Sequence, residues 1–210
     1  MIRILIADDH TIVREGLKQV FVETAGMTVA DEASNGQEVL SKVRRNNYDI
    51  VLLDISLPGM SGLDVLKQLK STKPKLPVLI LSIHPEEQYA VRSIRAGASG
   101  YLTKDSAMDE LIKAVRKIVK GGKYITDSLA QRIAVEIDVK TEKPIHESLS
   151  DREYQILCLI ASGKTPTEIA KMLSLSTKTV STHRARILRK MKMSNNAQLM
   201  RHALKHNLVD

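Results

Sequence analysis

Five short apolar runs, Ile2–Ala7, Thr28–Ala33, Ile50–Leu53, Val78–Leu81 and Gly100–Leu102, punctuate the first 120 residues. Between them lie longer stretches whose apolar residues recur near i, i+3 and i+4, such as Val39/Leu40/Val43 and Leu63/Leu66/Leu69. Strands alternating with helices predict βαβ units, and hence a parallel sheet with helices on both faces. The run Ala107–Lys120 supplies the last helix of the set, and Gly121-Gly122 stops it.

The pattern then changes. A short helix is expected over Ser128–Ile137, and the polar stretch Asp138–Glu147, with Pro144, reads as a linker. From Leu149 onward only helical periodicity remains, broken by Gly163, Pro166 and Ser/Thr clusters. The expected organisation is an α/β domain over 1–122, a connection with a short helix over 123–147, and an all-α domain over 148–210.

Charge divides the chain in the same way. The net charge is +8, but residues 150–210 carry 11 Lys+Arg against 4 Asp+Glu, whereas 1–149 carry 21 against 20. A basic C-terminal third beside a balanced remainder points to a polyanionic partner for that third alone, although a solvated basic surface has the same composition. Aromatic residues are 3%, with no Trp, which leaves no material for an aromatic platform that stacks single-stranded bases. Cys158 is the sole cysteine and sits in an apolar stretch, so disulfide or thiolate-metal chemistry within the chain is excluded and a buried structural thiol is expected. With no signal-peptide-like or membrane-spanning apolar segment, a soluble cytoplasmic protein is expected.

In open parallel sheets, ligands bind beyond the carboxyl ends of the strands. The first run leads into Asp8-Asp9, the third into Asp54, the fourth into Ser82, and the fifth is followed by Lys104. Three carboxylates brought together require a cation, and an oxygen-rich site with room for water suits Mg²⁺. Lys104 adds a positive charge for phosphoryl oxygens, and Ser82 adds a hydroxyl donor. A carboxylate in such a site can act as nucleophile toward a phosphoryl group, and Asp54, alone at its strand end, is the candidate. Singly, an Asp at a strand end is more often a cap or turn residue; the joint placement carries the signal.

These segments, ILIADDH, VLLDISLPGMSG, VLILSIH and GYLTKD, resemble in order the receiver domain of two-component response regulators. The resemblance implies a doubly wound, flavodoxin-like five-stranded sheet of order 2-1-3-4-5. It implies that Asp54 is the phosphoacceptor and that Asp9, Asp54 and the backbone carbonyl of Ser56 ligate Mg²⁺, with Asp8 assisting through water. Ser82 and Lys104 would contact the phosphoryl group. Tyr101 falls where the family places its aromatic switch residue, for which a half-buried core aromatic is the plainer reading. Ser56 and His84 occupy positions that tune phosphoryl lifetime.

The second domain reads as four helices, near Ser150–Ala161, Pro166–Leu173, Thr177–Met191 and Asn195–His206. Ser150 with Glu153 forms a capping box, Thr165-Pro166 a helix start, and Ser176 an N-cap. The middle two helices, joined through Ser174-Leu175-Ser176, make a helix-turn-helix. Along the third helix, Val180, Ile187 and Met191 form a core stripe with Arg184 between them. The opposite side carries Lys178, Ser181, Thr182, Ala185, Arg186 and Arg189, slim enough to enter a major groove and flanked by cations for phosphates. A solvated amphipathic helix has the same spacing.

Residues 149–206 resemble the LuxR-type helix-turn-helix of the NarL/FixJ family through LSDRE, LIASGKTPTEIAKMLSLS and KTVSTHRARILRKM. By that resemblance Ser181, Thr182 and Ala185 face base edges, while Lys164, Lys178, Arg186 and Arg189 contact phosphates. The family often has Asn in place of Pro166 and Lys in place of Ser181, so no relative's target sequence carries over.

The expected function is that of a transcription factor, not an enzyme, beyond assisting its own phosphorylation and dephosphorylation. A histidine kinase phosphorylates Asp54, and this controls homodimerisation and binding to double-stranded DNA. One alternative is a receiver that serves as a phosphate-independent docking module. The other is a phosphatase of related fold, for which no acid/base group stands beside Asp54.

Overall fold

The computed structural model describes residues 1–138 and 144–209. Two compact units divide it, Met1–Ala134 and Val135–Asp210. In the first, strands β1 (Ile2–Ala7), β2 (Met27–Ala33), β3 (Ile50–Leu53), β4 (Val78–Ser82) and β5 (Gly100–Thr103) alternate with helices α1 (Thr11–Glu23), α2 (Gly36–Arg45), α3 (Gly62–Thr72), α4 (Glu86–Arg95) and α5 (Met108–Val119). The strands pair in parallel in the order β2-β1-β3-β4-β5. This is the doubly wound, flavodoxin-like sheet.

Helices on both faces explain the unbroken apolar strands. All four residues of β3 and all five of β4 are buried, since neither face of a central strand meets water. One core layer joins Ile4, Ile6, Ile50, Leu52 and Leu79 to Leu17 and Phe21 of α1 and to Leu111, Val115 and Ile118 of α5. The α5 helix stops as its glycines predict, with Gly121 at φ 90°, a left-handed conformation that costs a residue without Cβ little.

Residues 123–134, which read as connection in the sequence, pack with this unit. Tyr124 forms a bridge with Gly100, and Leu129 of helix α6 (Asp127–Asp138) is fully buried. The start of α6 is tied to α4, because Thr126 Oγ1 and Ser128 Oγ donate to the two carboxylate oxygens of Glu86 at 2.6 and 2.8 Å. Part of the expected linker, 139–143, lies outside the described residues.

After α6 the second unit has a 3-10 turn, Ile145–Ser148, inside the stretch expected to be linker. Helices α7 (Asp151–Ala161), α8 (Pro166–Met172), α9 (Thr177–Lys190) and α10 (Asn196–Lys205) follow. The Ser150–Glu153 capping box forms, and Thr165 with Glu168 makes a second one at the head of α8, with Pro166 at the first turn. Cys158 is buried. Among the described residues no helix is long and apolar enough to cross a membrane.

Candidate functional site

The residues singled out at the strand ends converge. Asp8 and Asp9 follow β1, Asp54 follows β3, Ser82 ends β4 and Lys104 follows β5, all on the carboxyl edge of the sheet. One ligand atom from each of Asp8, Asp9, His10 and Asp54 lies within 4.8 Å of the others, so this group could hold a metal ion. Asp8 and Asp54 are 2% and 1% exposed, which makes their ionised forms costly without partners. Lys104 supplies one, its Nζ lying 2.5 Å from Asp8 Oδ2 and 2.7 Å from Asp54 Oδ2.

The remaining oxygens are oriented by the backbone. Asp8 Oδ1 accepts from the His10 amide at 2.9 Å, and Asp54 Oδ1 accepts from the Ser56 amide at 3.2 Å. Both are two-residue turns in which a carboxylate takes the place of a backbone acceptor. Burial pushes the Asp54 carboxyl above its ordinary range against the opposing pull of Lys104. The Lys104 ammonium is itself held above its usual range, because attraction by Asp54 and Asp8 outweighs the cost of burial.

The loop after Asp54 fits closely under it. A Cβ on Gly62 would lie 2.0 Å from the Asp54 carbonyl oxygen and 2.8 Å from Ile55 Cα, so α3 reaches the site only because its first residue has no side chain. Ser82 is fully buried and its Oγ accepts from the His84 amide at 3.2 Å. Tyr101 is 1% exposed, with its hydroxyl donating to the His84 carbonyl at 2.8 Å. His84 Nε2 lies 3.1 Å from Ser56 Oγ, and burial, followed by the charge of Lys104, lowers the His84 pKa to about 4.

His10 had no role in the sequence reading. Its Nδ1 stands 2.8 Å from Asp9 Oδ1 and 3.2 Å from Asp8 Oδ1, at the solvent side of the cluster. Adjacency to Asp8-Asp9 was the available signal.

In the second unit Val180, Ile187 and Met191 are buried, while Lys164, Lys178, Ser181, Thr182, Ala185, Arg186 and Arg189 are all exposed. The turn before α9 is closed by Ser174 at φ 52° and by the Leu175 amide donating to the Ala170 carbonyl at 2.8 Å. Ser176 caps α9. Two cations of α9 are engaged elsewhere: Arg184 Nε donates to Asn196 Oδ1 at 2.7 Å, and Lys190 Nζ to Glu153 Oε2 at 2.6 Å. The Thr182 hydroxyl donates to the Lys178 carbonyl, leaving its methyl group and oxygen lone pairs for any partner.

Two family models match this chain, the response regulator receiver domain over residues 4–116 and the luxR family of bacterial regulatory proteins over 147–203. The chain is a response regulator of the NarL/FixJ family. The response regulator UvrY of Escherichia coli K12 is 36% identical over all of this chain and 97% of its own length. GacA of Pseudomonas aeruginosa is 33% identical over all of this chain and 99% of its own length. A solved complex of the two-component response regulator RcsB with DNA is similar at a TM-score of 0.60 and 25% identity, over 100% of this regulator and 99% of that chain. The regulator thus joins a receiver to a LuxR-type DNA-binding domain, in a family of transcription regulators.

Proposed function

We propose that this regulator accepts a phosphoryl group on Asp54 from a histidine kinase, and that the modification controls dimerisation and sequence-specific binding to double-stranded DNA. The observation that carries the proposal is the bridging of buried Asp54 and Asp8 by Lys104 beside the exposed Asp9. Hard carboxylate oxygens open to water on one side match the donor set that Mg²⁺ prefers. Asp9, Asp54 and the Ser56 carbonyl would hold the ion, with Asp8 assisting through water. When bound, the ion neutralises charge on phosphoryl oxygens.

The chain's own groups do the rest. An oxygen of the Asp54 carboxylate attacks phosphorus as the phosphorus–nitrogen bond of a phosphohistidine breaks, and the electron pair leaves with the imidazole. Lys104 moves from pairing the free carboxylate to pairing the transferred oxygens, so the added negative charge meets a cation already in the site. Ser82 offers its hydroxyl proton to the same oxygens. Tyr101 reports the change through its bond to the segment that carries His84. Because none of these groups is placed to turn over a separate substrate, catalysis is confined to the regulator's own acyl phosphate. Exposed Ile12 and Met108 border an apolar groove of about 240 Å³ that also touches Lys104, which suits docking of the kinase domain beside the site. In the second unit Ser181, Thr182 and Ala185 would face base edges, and Lys164, Lys178, Arg186 and Arg189 phosphates.

Incubation with acetyl phosphate and Mg²⁺ tests this directly. Wild type should gain one phosphoryl group, and Asp54→Asn should gain none. A folded wild type that stays unmodified by both acetyl phosphate and a phosphorylated kinase domain would move the receiver to a docking role independent of phosphate.

A further inference from the structure

His10 stands at the acidic edge of the sheet without a part in phosphoryl transfer. It is the N-cap residue of α1, a position whose side chain commonly accepts from the free amides of the helix, yet its own makes no such bond. The imidazole turns instead to the carboxylates, with Nδ1 2.8 Å from Asp9 Oδ1 and 3.2 Å from Asp8 Oδ1. The His10 amide donates to Asp8 Oδ1 at 2.9 Å, which anchors the base of the side chain beside the two acids. Among the described residues, Asp8, Asp9, His10 and Asp54 form the one group of carboxylate, imidazole or thiol side chains whose ligand atoms lie close enough for a single ion, all within 4.8 Å of one another.

We infer that His10 is a ligand of the metal site and sets its specificity, adding one nitrogen to an oxygen set and so raising the preference for first-row transition ions such as Mn²⁺ over Mg²⁺. The inference rests on the reading of the acidic pocket as a metal site. On a six-coordinate ion with bonds of about 2.0–2.1 Å, neighbouring donors stand about 2.9 Å apart and opposite donors about 4.2 Å. The 2.8 Å between His10 Nδ1 and Asp9 Oδ1 is the separation of neighbours. Asp8 Oδ1, 3.2 Å from Nδ1, stays within reach of a water on the ion. The 4.8 Å span of the group has to close by about 0.6 Å, which small χ rotations supply. His10 and Asp9, with side chains 59% and 33% exposed, are free to make them. With Asp9, Asp54 and the Ser56 carbonyl, His10 leaves about two positions of the six for a water and a phosphoryl oxygen.

The chemistry of the donors gives the direction of the effect. Mg²⁺ is a hard ion that favours oxygen and dehydrates reluctantly, so an imidazole adds little to its binding. Imidazole suits the transition ions, and affinity for mixed nitrogen and oxygen sites climbs along the first row from Mn²⁺ toward Cu²⁺. Mn²⁺ shares the octahedral, oxygen-rich coordination of Mg²⁺, so it can use the carboxylates and the added nitrogen together. A neutral ring with its proton on Nε2 leaves the Nδ1 lone pair for the ion. Lys104 does not compete for the same oxygens. Its Nζ lies against Oδ2 of Asp8 and of Asp54, whereas His10 faces Oδ1 of Asp8 and of Asp9.

Pulsed EPR of the untagged full chain with one equivalent of Mn²⁺ reads the ligand directly, because a coordinated imidazole imprints a nitrogen coupling on the ion. Wild type should show that coupling. His10→Phe, which keeps a ring and has no donor atom, should lose it, and His84→Gln should keep it. Competition between the two ions should show Mn²⁺ binding at least about tenfold weaker in His10→Phe, since even an outer partner of a ligand is worth about 10–100-fold. Mg²⁺ binding should stay within about threefold of wild type. Mn²⁺ bound to wild type without nitrogen coupling, a coupling that survives in His10→Phe, or equal losses for the two ions would overturn the inference and leave the acidic pocket's own metal reading standing. No Mn²⁺ bound to wild type would overturn both. Coupling to His10 in a protein that neither acetyl phosphate nor a phosphorylated kinase domain modifies would support the inference and overturn the Asp54 reading alone.

Discussion

The salt dependence of DNA binding follows from which cations on and beside α9 are left without partners. Lys178, Arg184, Arg186, Arg189 and Lys190 all lie on α9, with Lys164 just before α8. Two are withdrawn, Arg184 to Asn196 and Lys190 to Glu153. Glu153 strengthens the second withdrawal, because Lys190 and the capping hydrogen bonds of Ser150 hold its carboxyl below the usual range despite burial. Of these six, Lys164, Lys178, Arg186 and Arg189 are exposed and carry none of the hydrogen bonds that hold Arg184 and Lys190, which gives about eight phosphate contacts for a dimer. Each neutralised phosphate contributes about −0.9 to the slope of log K against log salt, which predicts a slope near −7 and roughly 10⁴-fold weaker binding between about 50 and 200 mM salt. All six cations engaged would give a slope near −11. Removing Arg186 and Arg189 together should halve the predicted slope to about −3.6, leaving roughly a 150-fold loss over the same range. Lys190→Ala should leave the slope unchanged and reduce stability instead. Fluorescence anisotropy on a duplex selected from genomic DNA with the phosphorylated protein reads all of these. A wild-type slope shallower than about −4, or a change in Lys190→Ala equal to that in Arg189→Ala, would refute the assignment.

Three further outcomes are expected. Gly62→Ala should cost about 1–3 kcal/mol by overpacking against the Asp54 carbonyl, and slow phosphorylation, because the backbone it displaces carries the phosphoacceptor; denaturation within about 0.5 kcal/mol of wild type would contradict the close packing. His84, held at about 4 in the fold against 6.5 when unfolded, contributes stability present above pH 6.5 and lost as pH falls toward 4. Between pH 7 and 5 the urea midpoint should report a loss of about 2 kcal/mol that His84→Gln lacks, and equal losses in both proteins would exclude His84 as the cause. Glu86→Ala removes two charge-assisted hydrogen bonds to the start of α6, worth about 1.5–3 kcal/mol each. Hydrogen exchange should therefore rise across 126–132, and unchanged protection there would mean that Leu129 alone holds the segment.

Much of this is legible in the sequence because it rests on local or strongly periodic signals. The strands read within a residue or two of their observed ends, since buried parallel strands are continuous apolar runs. The capping box at Ser150 was equally plain, being a rule of spacing. What escaped depends on partners distant in sequence. The Ile145–Ser148 turn lies in a polar, proline-marked stretch with no period of its own, and His146 meets His202 from 56 residues away. Spacing put Lys190 on α9 but could not show that Glu153, 37 residues earlier, holds it. Tyr124 joins the sheet edge through a single bridge, too short to leave a pattern.

Six consecutive residues, Ser82–Glu87, explain how a change of charge at Asp54 can be felt beyond the acidic pocket. Ser82 Oγ accepts from the His84 amide, the His84 ring meets Ser56 in the loop after Asp54, and the His84 carbonyl takes the Tyr101 hydroxyl. Two and three residues further on, Glu86 holds Thr126 and Ser128, and the Glu87 carbonyl accepts from Arg132 at 3.0 Å. The segment is bonded to the acidic site at one end and to the start of α6 at the other. A transferred phosphoryl group of charge near −2 competes for the Ser82 hydroxyl and repels the carboxylates around it. Because the His84 amide and carbonyl both use bonds that such a displacement would disturb, the proposed phosphorylation would have the segment exchange one set of partners for another instead of stretching. Discrete exchange of this kind is the form that two-state coupling takes in a packed protein. On the proposed phosphorylation, Tyr101 and the start of α6 would be two readers of one event, the first within the sheet's own face and the second on the stretch of chain that leads toward the DNA-binding domain.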